Sequence, residues 1–246
     1  MLIKFSSGTD KGRVRERNED NHIVYDCSGG KVFAVADGMG GMDFGDVASL
    51  TAMECIKQEL SECEEKQFDK NDAKKLFTRI FNLINNEIIK KCIEKESVTG
   101  MGTTLSMCLV TEDKLLTAHM GDSRIYIIRE GKAVQVTKDH SYVEELIDSG
   151  RITREQAKIH PNRNIITRAL GLDRDIEVDT DSFDLLKGDY VLLCSDGLTN
   201  AVEDEEIALL AGKSTDTDDT VKKLIDLAND RGGRDNITVQ LIYKEA

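Results

Sequence analysis

Short, strongly apolar and β-branched runs punctuate the chain: KVFAVA (31–36), TLSMCLV (104–110), KLLTAHM (114–120), RIYIIRE (124–130), YVLLCS (190–195) and NITVQLIY (236–243). Runs of this length between polar turns read as β-strands. The links TEDK (111–114) and EGK (130–132) are too short for helical crossovers, so the strands they join must pair antiparallel. Helical periodicity runs from Asp46 to Leu60, where Val47, Leu50, Met53, Ile56 and Leu60 recur every three or four residues. A longer stripe of Phe77, Ile80, Phe81, Ile84 and Ile88 follows Asp72, with Lys90, Lys91 and Lys95 near its end, where cations suit the helix dipole. Further helices are expected near Asp204 to Leu210 and Asp219 to Asn229. The class is α+β, with helices packed outside antiparallel sheets.

Pro161 is the one proline, no Ser/Gly-rich tract resembles a linker, and no internal repeat is visible, so 1–246 reads as a single domain. The stretch from Lys138 to Leu170 is polar, holds at most a helix around Tyr142 to Asp148, and contains HPNRN (160–164). Such a segment is either a surface lid over a binding site or an ordinary mobile insertion.

With 33 basic and 46 acidic residues the formal charge is −13, which argues against a nucleic-acid backbone or an anionic membrane face as partner. No run approaches the roughly 20 apolar residues that cross a bilayer, and no secretory apolar region is visible near the start. The cysteines (Cys27, Cys55, Cys63, Cys92, Cys108 and Cys194) form no Cys-x-x-Cys pair, and several sit in apolar patterns. A cytoplasmic protein without structural zinc is expected.

The informative feature is where certain aspartates stand. Asp37 ends VFAVAD before GMGG, Asp196 ends VLLCSD before Gly197, Asp122 follows TAHMG, and Asp235 precedes Asn236 and the strand ITVQLIY. A carboxylate beside an apolar core is costly unless cations or hydrogen bonds compensate it. Several such groups converging at strand ends would make an oxygen site for hard divalent ions. Taken singly, each Asp-Gly is also an ordinary turn pair. The segment RVRERNEDNH (13–22) offers arginines beside Glu19 and Asp20: either a phosphate grip next to that cluster, or a solvated tail of alternating charge.

Other phosphate chemistries fail on their own spacing. None of the cysteines has an arginine six positions later, DTDSF (179–183) lacks a preceding apolar strand, and GKS (212–214) has Ile207 where a P-loop needs its first glycine. GMGG (38–41) and GMGTT (100–104) lack the third glycine of a dinucleotide fingerprint, and Asn236 in its N-I-T sequon reads simply as a strand start.

Together RVRERNED (13–20), VADGMGG (35–41), GMGTTL (100–105), AHMGDSRIY (118–126), CSDGL (194–198) and GGRDNIT (232–238) resemble, in order and from about Ser7 to Tyr243, the metal-dependent protein Ser/Thr phosphatases of the protein phosphatase 2C family in their compact bacterial form. The resemblance implies a four-layer α-β-β-α fold, a central β-sandwich of two antiparallel sheets flanked by helices, with two Mn²⁺ or Mg²⁺ ions in a cleft at one end. By the same resemblance Asp37 bridges both metals and the Gly38 carbonyl ligates one. Asp196 and Asp235 complete the other shell, and Glu19 and Asp20 act through waters. Asp122, with Asp196, holds a third, weaker metal, Arg15 grips phosphate, and 138–170 is the flap.

The implied reaction is hydrolysis of phosphoserine and phosphothreonine in proteins by direct attack of a metal-bridging water or hydroxide, without a covalent phosphoenzyme. Eukaryotic members commonly carry histidine after the Asp-Gly, where this chain has Met39. A metal-bound water is therefore the expected leaving-group acid, and His22, His119, His140 and His160 are not assigned to that role. Phosphoproteins, and a eukaryotic-like Ser/Thr kinase with its targets, are the implied partners of a monomer. Two competing readings are a catalytically silent regulatory relative and an enzyme for small phosphorylated metabolites. Intact Arg15, Asp37, Asp196 and Asp235 count against the first.

Overall fold

The computed structural model describes residues 2–27, 29–40, 44–61, 70–94, 100–213 and 215–245. Gly41, Cys63, Lys95 and Ser214 lie outside the described residues. In chain order the elements are β1 (Ile3–Asp10), β2 (Asp20–Cys27), β3 (Gly30–Gly40), α1 (Gly45–Ser61), α2 (Lys70–Glu94), β4 (Met101–Thr103), β5 (Leu105–Val110), β6 (Lys114–Met120), β7 (Arg124–Arg129) and β8 (Lys132–Gln135). Then follow α3 (Tyr142–Asp148), α4 (Arg154–Lys158), β9 (Asp179–Asp184), β10 (Tyr190–Cys194), α5 (Asp196–Thr199), α6 (Asp204–Ala211), α7 (Thr217–Asp230) and β11 (Ile237–Lys244).

Two antiparallel sheets result. One runs β1-β11-β10-β7-β8; the other runs β2-β3-β5-β6-β9, with β4 added to the far end of β3. As the short links require, β5 pairs with β6 and β7 with β8 antiparallel. Because side chains alternate across a strand, β3 sends Val32, Ala34 and Ala36 toward α1 and α2, into a cluster with Ile56, Phe77, Ile84 and Met107. Phe33 and Val35 point the other way and meet Ile125, Val191, Leu193 and Ile242 of the second sheet. That sheet's outer residues, among them Leu192, Val239 and Leu241, are covered by Ile207, Val221 and Leu224 of α6 and α7. The layers are therefore helix, sheet, sheet, helix, as expected.

Every strand read from the sequence lies inside a sheet, where both faces are buried. The unread strands β1, β8, β2 and β9 are the four sheet edges, and β4 is a three-residue addition. DTDSF, passed over as lacking a strand before it, is itself most of the edge strand β9. Leu50, placed in the apolar stripe of α1, is half exposed, and the buried face is made by Ala48, Ala52, Ile56 and Leu60.

The polar segment 138–170 holds two helices rather than one. Besides α3, α4 is started by a capping box in which the Thr153 and Gln156 side chains each bond the other's backbone. Only Ala157 of α4 is buried, so apolar periodicity could not reveal it. The roots of the segment are pinned: Leu170 bridges Thr103, Ser141 bridges Ile166, and His140 exchanges backbone bonds with Gly121 and Thr167. No helix among the described residues is long and apolar enough to cross a membrane.

Phe33 is fully buried between the sheets, with Phe5 edge-on to it at 5.4 Å. Phe33→Ala should cost about 3–5 kcal/mol of unfolding free energy in urea. Val134→Ala, at a position 57% exposed on the edge strand β8, should change it by no more than about 0.5 kcal/mol.

Candidate active site

The sheet architecture brings the carboxylates singled out in the sequence to one end of the sandwich. Asp37 lies near the end of β3 directly opposite Asp20, the first residue of β2. Asp122 occupies the turn from β6 to β7, Asp196 opens α5 after β10, and Asp235 stands two residues before β11. Asp37 feels the charges of Asp20, Asp196, Asp122 and Asp235 together, and Arg15 those of Asp235, Asp37 and Glu19. The predicted residues thus form one electrostatic neighbourhood, built from both sheets and the loop between β1 and β2.

The backbone around Asp37 is held on both sides. Its N–H donates to Thr104 Oγ1 (3.0 Å), and its carbonyl accepts from Thr104 N–H and Thr103 Oγ1 (2.9 Å each). Thr104 is braced in turn by Ser123, 2.7 Å away, next to Asp122. Gly38 must lack a Cβ, because one would stand 2.0 Å from the Gly45 carbonyl oxygen and 2.6 Å from that of Glu19. That closeness lays Glu19 against the start of α1, whose positive end suits an anion. The Glu19 carbonyl accepts from Ser49 Oγ of α1 (2.5 Å) and from Gly38 N–H (3.2 Å).

Burial and mutual repulsion dominate the electrostatics. Burial, reinforced by Asp196 and Asp235, pushes Asp20 up to about 7 despite the hydrogen bond from Ser195 Oγ (2.7 Å). Burial and Asp235 raise Asp196 to about 6, with Asn200, Asp37 and Arg15 pulling it back. Asp37 is held well above the ordinary carboxylate range by burial and four neighbouring aspartates, and Asp122 by burial, Asp196 and Asp139. Arg15 donates to Asp235 Oδ2 at 2.7 Å while half of its side chain stays exposed.

The donor set fits hard divalent cations. Asp20, Asp122 and Asp196 each keep one buried carboxylate oxygen without a hydrogen-bond partner, which is costly unless a cation takes it. No three Asp, Glu, His or Cys side chains among the described residues converge closely enough to cage an ion unaided. Waters or backbone carbonyls would have to complete any shell. From Asp122 and Asp196 a polar cavity of about 450 Å³ extends between the segment carrying α3 and α4 and the helices α5 and α6. A more open groove on α2, lined by Lys74, Lys75, Thr78, Arg79 and Asn82, contains none of the carboxylates.

The histidines bond elsewhere. His119 contacts Ser106 Oγ (2.9 Å) and the Lys138 carbonyl (3.1 Å). His140 Nδ1 accepts from Gly121 N–H (3.0 Å), and its Nε2 lies 3.1 Å from Asp179 Oδ2 and 2.9 Å from Arg168 Nη1. Met39 pairs with Gly102 in β4 and offers no proton. What sequence reasoning missed is the supporting frame: Thr103, Thr104, Ser49, Ser195 and Asn236. Four of these five stand inside or beside the quoted motifs, which was the available signal, and Ser49 stands in α1 with no signal of its own.

Comparison with known proteins accords with this geometry. The model of the family Protein phosphatase 2C matches residues 7–241. Protein phosphatase PhpP of Streptococcus pneumoniae is 38% identical over 243 residues, covering 98% of this chain and 97% of that protein. The crystal structure of serine/threonine phosphatase Stp1 from Staphylococcus aureus aligns with a TM-score of 0.94 at 34% identity, covering 100% of this chain and 96% of that one. The catalytic domain of serine/threonine protein phosphatase PstP, solved in complex with 2 manganese ions, aligns with a TM-score of 0.86 at 33% identity over 99% of each chain. The chain belongs to the protein phosphatase 2C family.

Burial, and secondarily His140, lowers His119 to about 4, whereas an unfolded histidine titrates near 6.5. Its neutral form contributes fully above about pH 6.5, and that stability is lost progressively as pH falls from about 6.5 to about 4, below which the folded state too is protonated. Between about pH 7 and about pH 5 the wild type should lose about 2 kcal/mol more than His119→Asn in denaturant unfolding. Equal pH slopes for the two proteins would contradict the assignment.

Proposed function

We propose that this serine/threonine protein phosphatase hydrolyses phosphoserine and phosphothreonine esters of proteins at the Asp37 cleft, using Mn²⁺ or Mg²⁺ held by its carboxylates, by direct displacement with water and without a covalent phosphoenzyme. The observation that carries the reading is the set of orphaned oxygens on Asp20, Asp122 and Asp196 around Asp37, with Arg15 at the rim. In this reading Asp37, the Gly38 carbonyl, Asp196 and Asp235 would hold the main pair of cations, with Asp37 shared between them, Glu19 and Asp20 would act through waters, and Asp122 with Asp196 would take a third, weaker ion. The 2 manganese ions in PstP support that count for the main pair.

When bound, two such cations supply Lewis acidity toward phosphoryl oxygens and acidify a water toward neutral pH. Arg15 presents a planar fork of donors and can turn from Asp235 to grip phosphate oxygens in a bidentate manner. Asp37 and Asp196, close enough for the charge of Asp196 to raise Asp37, set the floor against which the phosphoryl group is oriented. With Met39 beside the cleft and His119, His140 and His160 bonded elsewhere, a cleft water protonates the leaving alkoxide.

The whole chain serves as one catalytic domain. The segment 138–170 acts as a flap, its α4 joined to α6 through the Lys158–Glu203 ion pair at 2.5 Å. The protein works as a cytoplasmic monomer on phosphoproteins, including a eukaryotic-like Ser/Thr kinase and its targets.

Asp37→Asn and Asp196→Asn should each lose at least about 100-fold in turnover of a phosphothreonine peptide while keeping the wild-type circular dichroism spectrum. Undiminished turnover in either rejects the reading. After chelation, Mn²⁺ restored to about 100 times its dissociation constant should stabilise the wild type by about 2.7 kcal/mol per site, seen as a raised melting temperature. A smaller rise is expected in Asp37→Asn.

A further inference from the structure

Arg15 lies at the tip of the loop that leads from β1 to β2, and a flexible tip would spread its guanidinium over many positions. The loop is nevertheless tied down, and one side chain does most of the tying. Asn236 is buried, and its amide Nδ2 donates to the Lys11 carbonyl (2.9 Å) and to the Arg17 carbonyl (2.8 Å). Its Oδ1 accepts from the Glu19 N–H (2.8 Å). Both donors and the acceptor are thus used on three residues that bracket Arg15 on either side. The Asn236 N–H donates to Asp235 Oδ1 (2.9 Å), while Arg15 holds Asp235 Oδ2 (2.7 Å).

The rest of the loop is laid against the same strand entry. Arg13 and Val14 both donate from their backbones to the Gly233 carbonyl, at 2.7 and 3.2 Å. Gly12 turns with φ of +79°, and a Cβ there would stand 2.2 Å from the Asp235 carbonyl oxygen. The chemistry demands an amide at 236: a carboxylate in its place would set an oxygen against the Lys11 and Arg17 carbonyls, and an alanine would remove all three of these bonds at once.

We propose that Asn236 is a positioning residue for phosphate capture: its amide closes the loop from Lys11 to Glu19 and so holds Arg15 beside Asp235, where an incoming phosphate meets it. The proposal rests on the reading of Arg15 as the phosphate grip. Asn236 touches no substrate in it, and acts through the loop alone.

The test compares wild type, Arg15→Ala, Asn236→Ala and the double variant as Mn²⁺-loaded proteins, measuring competitive inhibition by inorganic phosphate of aryl phosphate hydrolysis. Each single variant should raise the inhibition constant about tenfold or more. The double variant should lie within about twofold of Arg15→Ala, because an arginine already removed has no position left to lose. An unchanged constant in Asn236→Ala, or a multiplied effect of about 100-fold in the double variant, overturns the proposal. So does a shift of more than about threefold in the Mn²⁺ concentration for half-activation, which would trace the effect to the metals rather than to Arg15. Hydrogen exchange without substrate gives a readout independent of catalysis: the Glu19 amide should exchange at least about tenfold faster in Asn236→Ala while β10 and β11 keep their protection. Unchanged protection at Glu19 refutes the positioning role, whereas a wild type that binds no phosphate refutes the phosphatase reading instead. If Asn236→Ala does not fold, Asn236→Ser, with one hydroxyl donor for two carbonyls, should give a smaller rise in the same direction; no rise there overturns the proposal as well.

Discussion

Like charges gathered in a partly desolvated cleft repel one another, and the rest of this structure is arranged around holding them there. Asp37, Asp20, Asp122, Asp196 and Asp235 would separate if their backbones were free. Instead Asp37 is fastened by Thr103 and Thr104, Asp20 by Ser195, and Asp235 by the Asn236 N–H and Arg15. Each of these bonds is worth about 1 kcal/mol in isolation, but all of them sit at the ends of strands whose middles are locked by the apolar clusters on either face. The core supplies the rigidity, and the polar frame transmits it to the carboxylates.

How much of the fold was legible follows from which strands have two buried faces. β3, β5, β6, β7, β10 and β11 lie inside their sheets and carry apolar residues on both sides, so they read as unbroken apolar runs. β1, β2, β8 and β9 are edges: DTDSFD and DNHIVYDC alternate or are largely polar because one face meets solvent. Charge on such strands discourages further pairing and also hides them from a hydropathy reading. Likewise α4 is specified by its cap rather than by a stripe.

For the candidate site, the acidic residues were legible because an aspartate next to an apolar strand is anomalous in itself. Asn236 was not. As a neutral amide near a strand start it looks ordinary, and its partners Lys11, Arg17 and Glu19 are more than 200 residues away in sequence. Its value lies in backbone groups that no composition or periodicity reports. The family resemblance named candidate site residues and passed over the residues that bond to them.

The pairing of β1 with β11 runs from Ile3 opposite Lys244 to Asp10 opposite Ile237. A ribosome delivers β11 long after β1, with every other strand in between, so β1 stays an unpaired edge until β11 has emerged. The same late event brings Asp235 and Asn236 to Arg15 and Glu19. A nascent chain therefore carries Arg15 and Glu19 without their partners, and the cleft they line is completed in a single step when β11 joins the sheet.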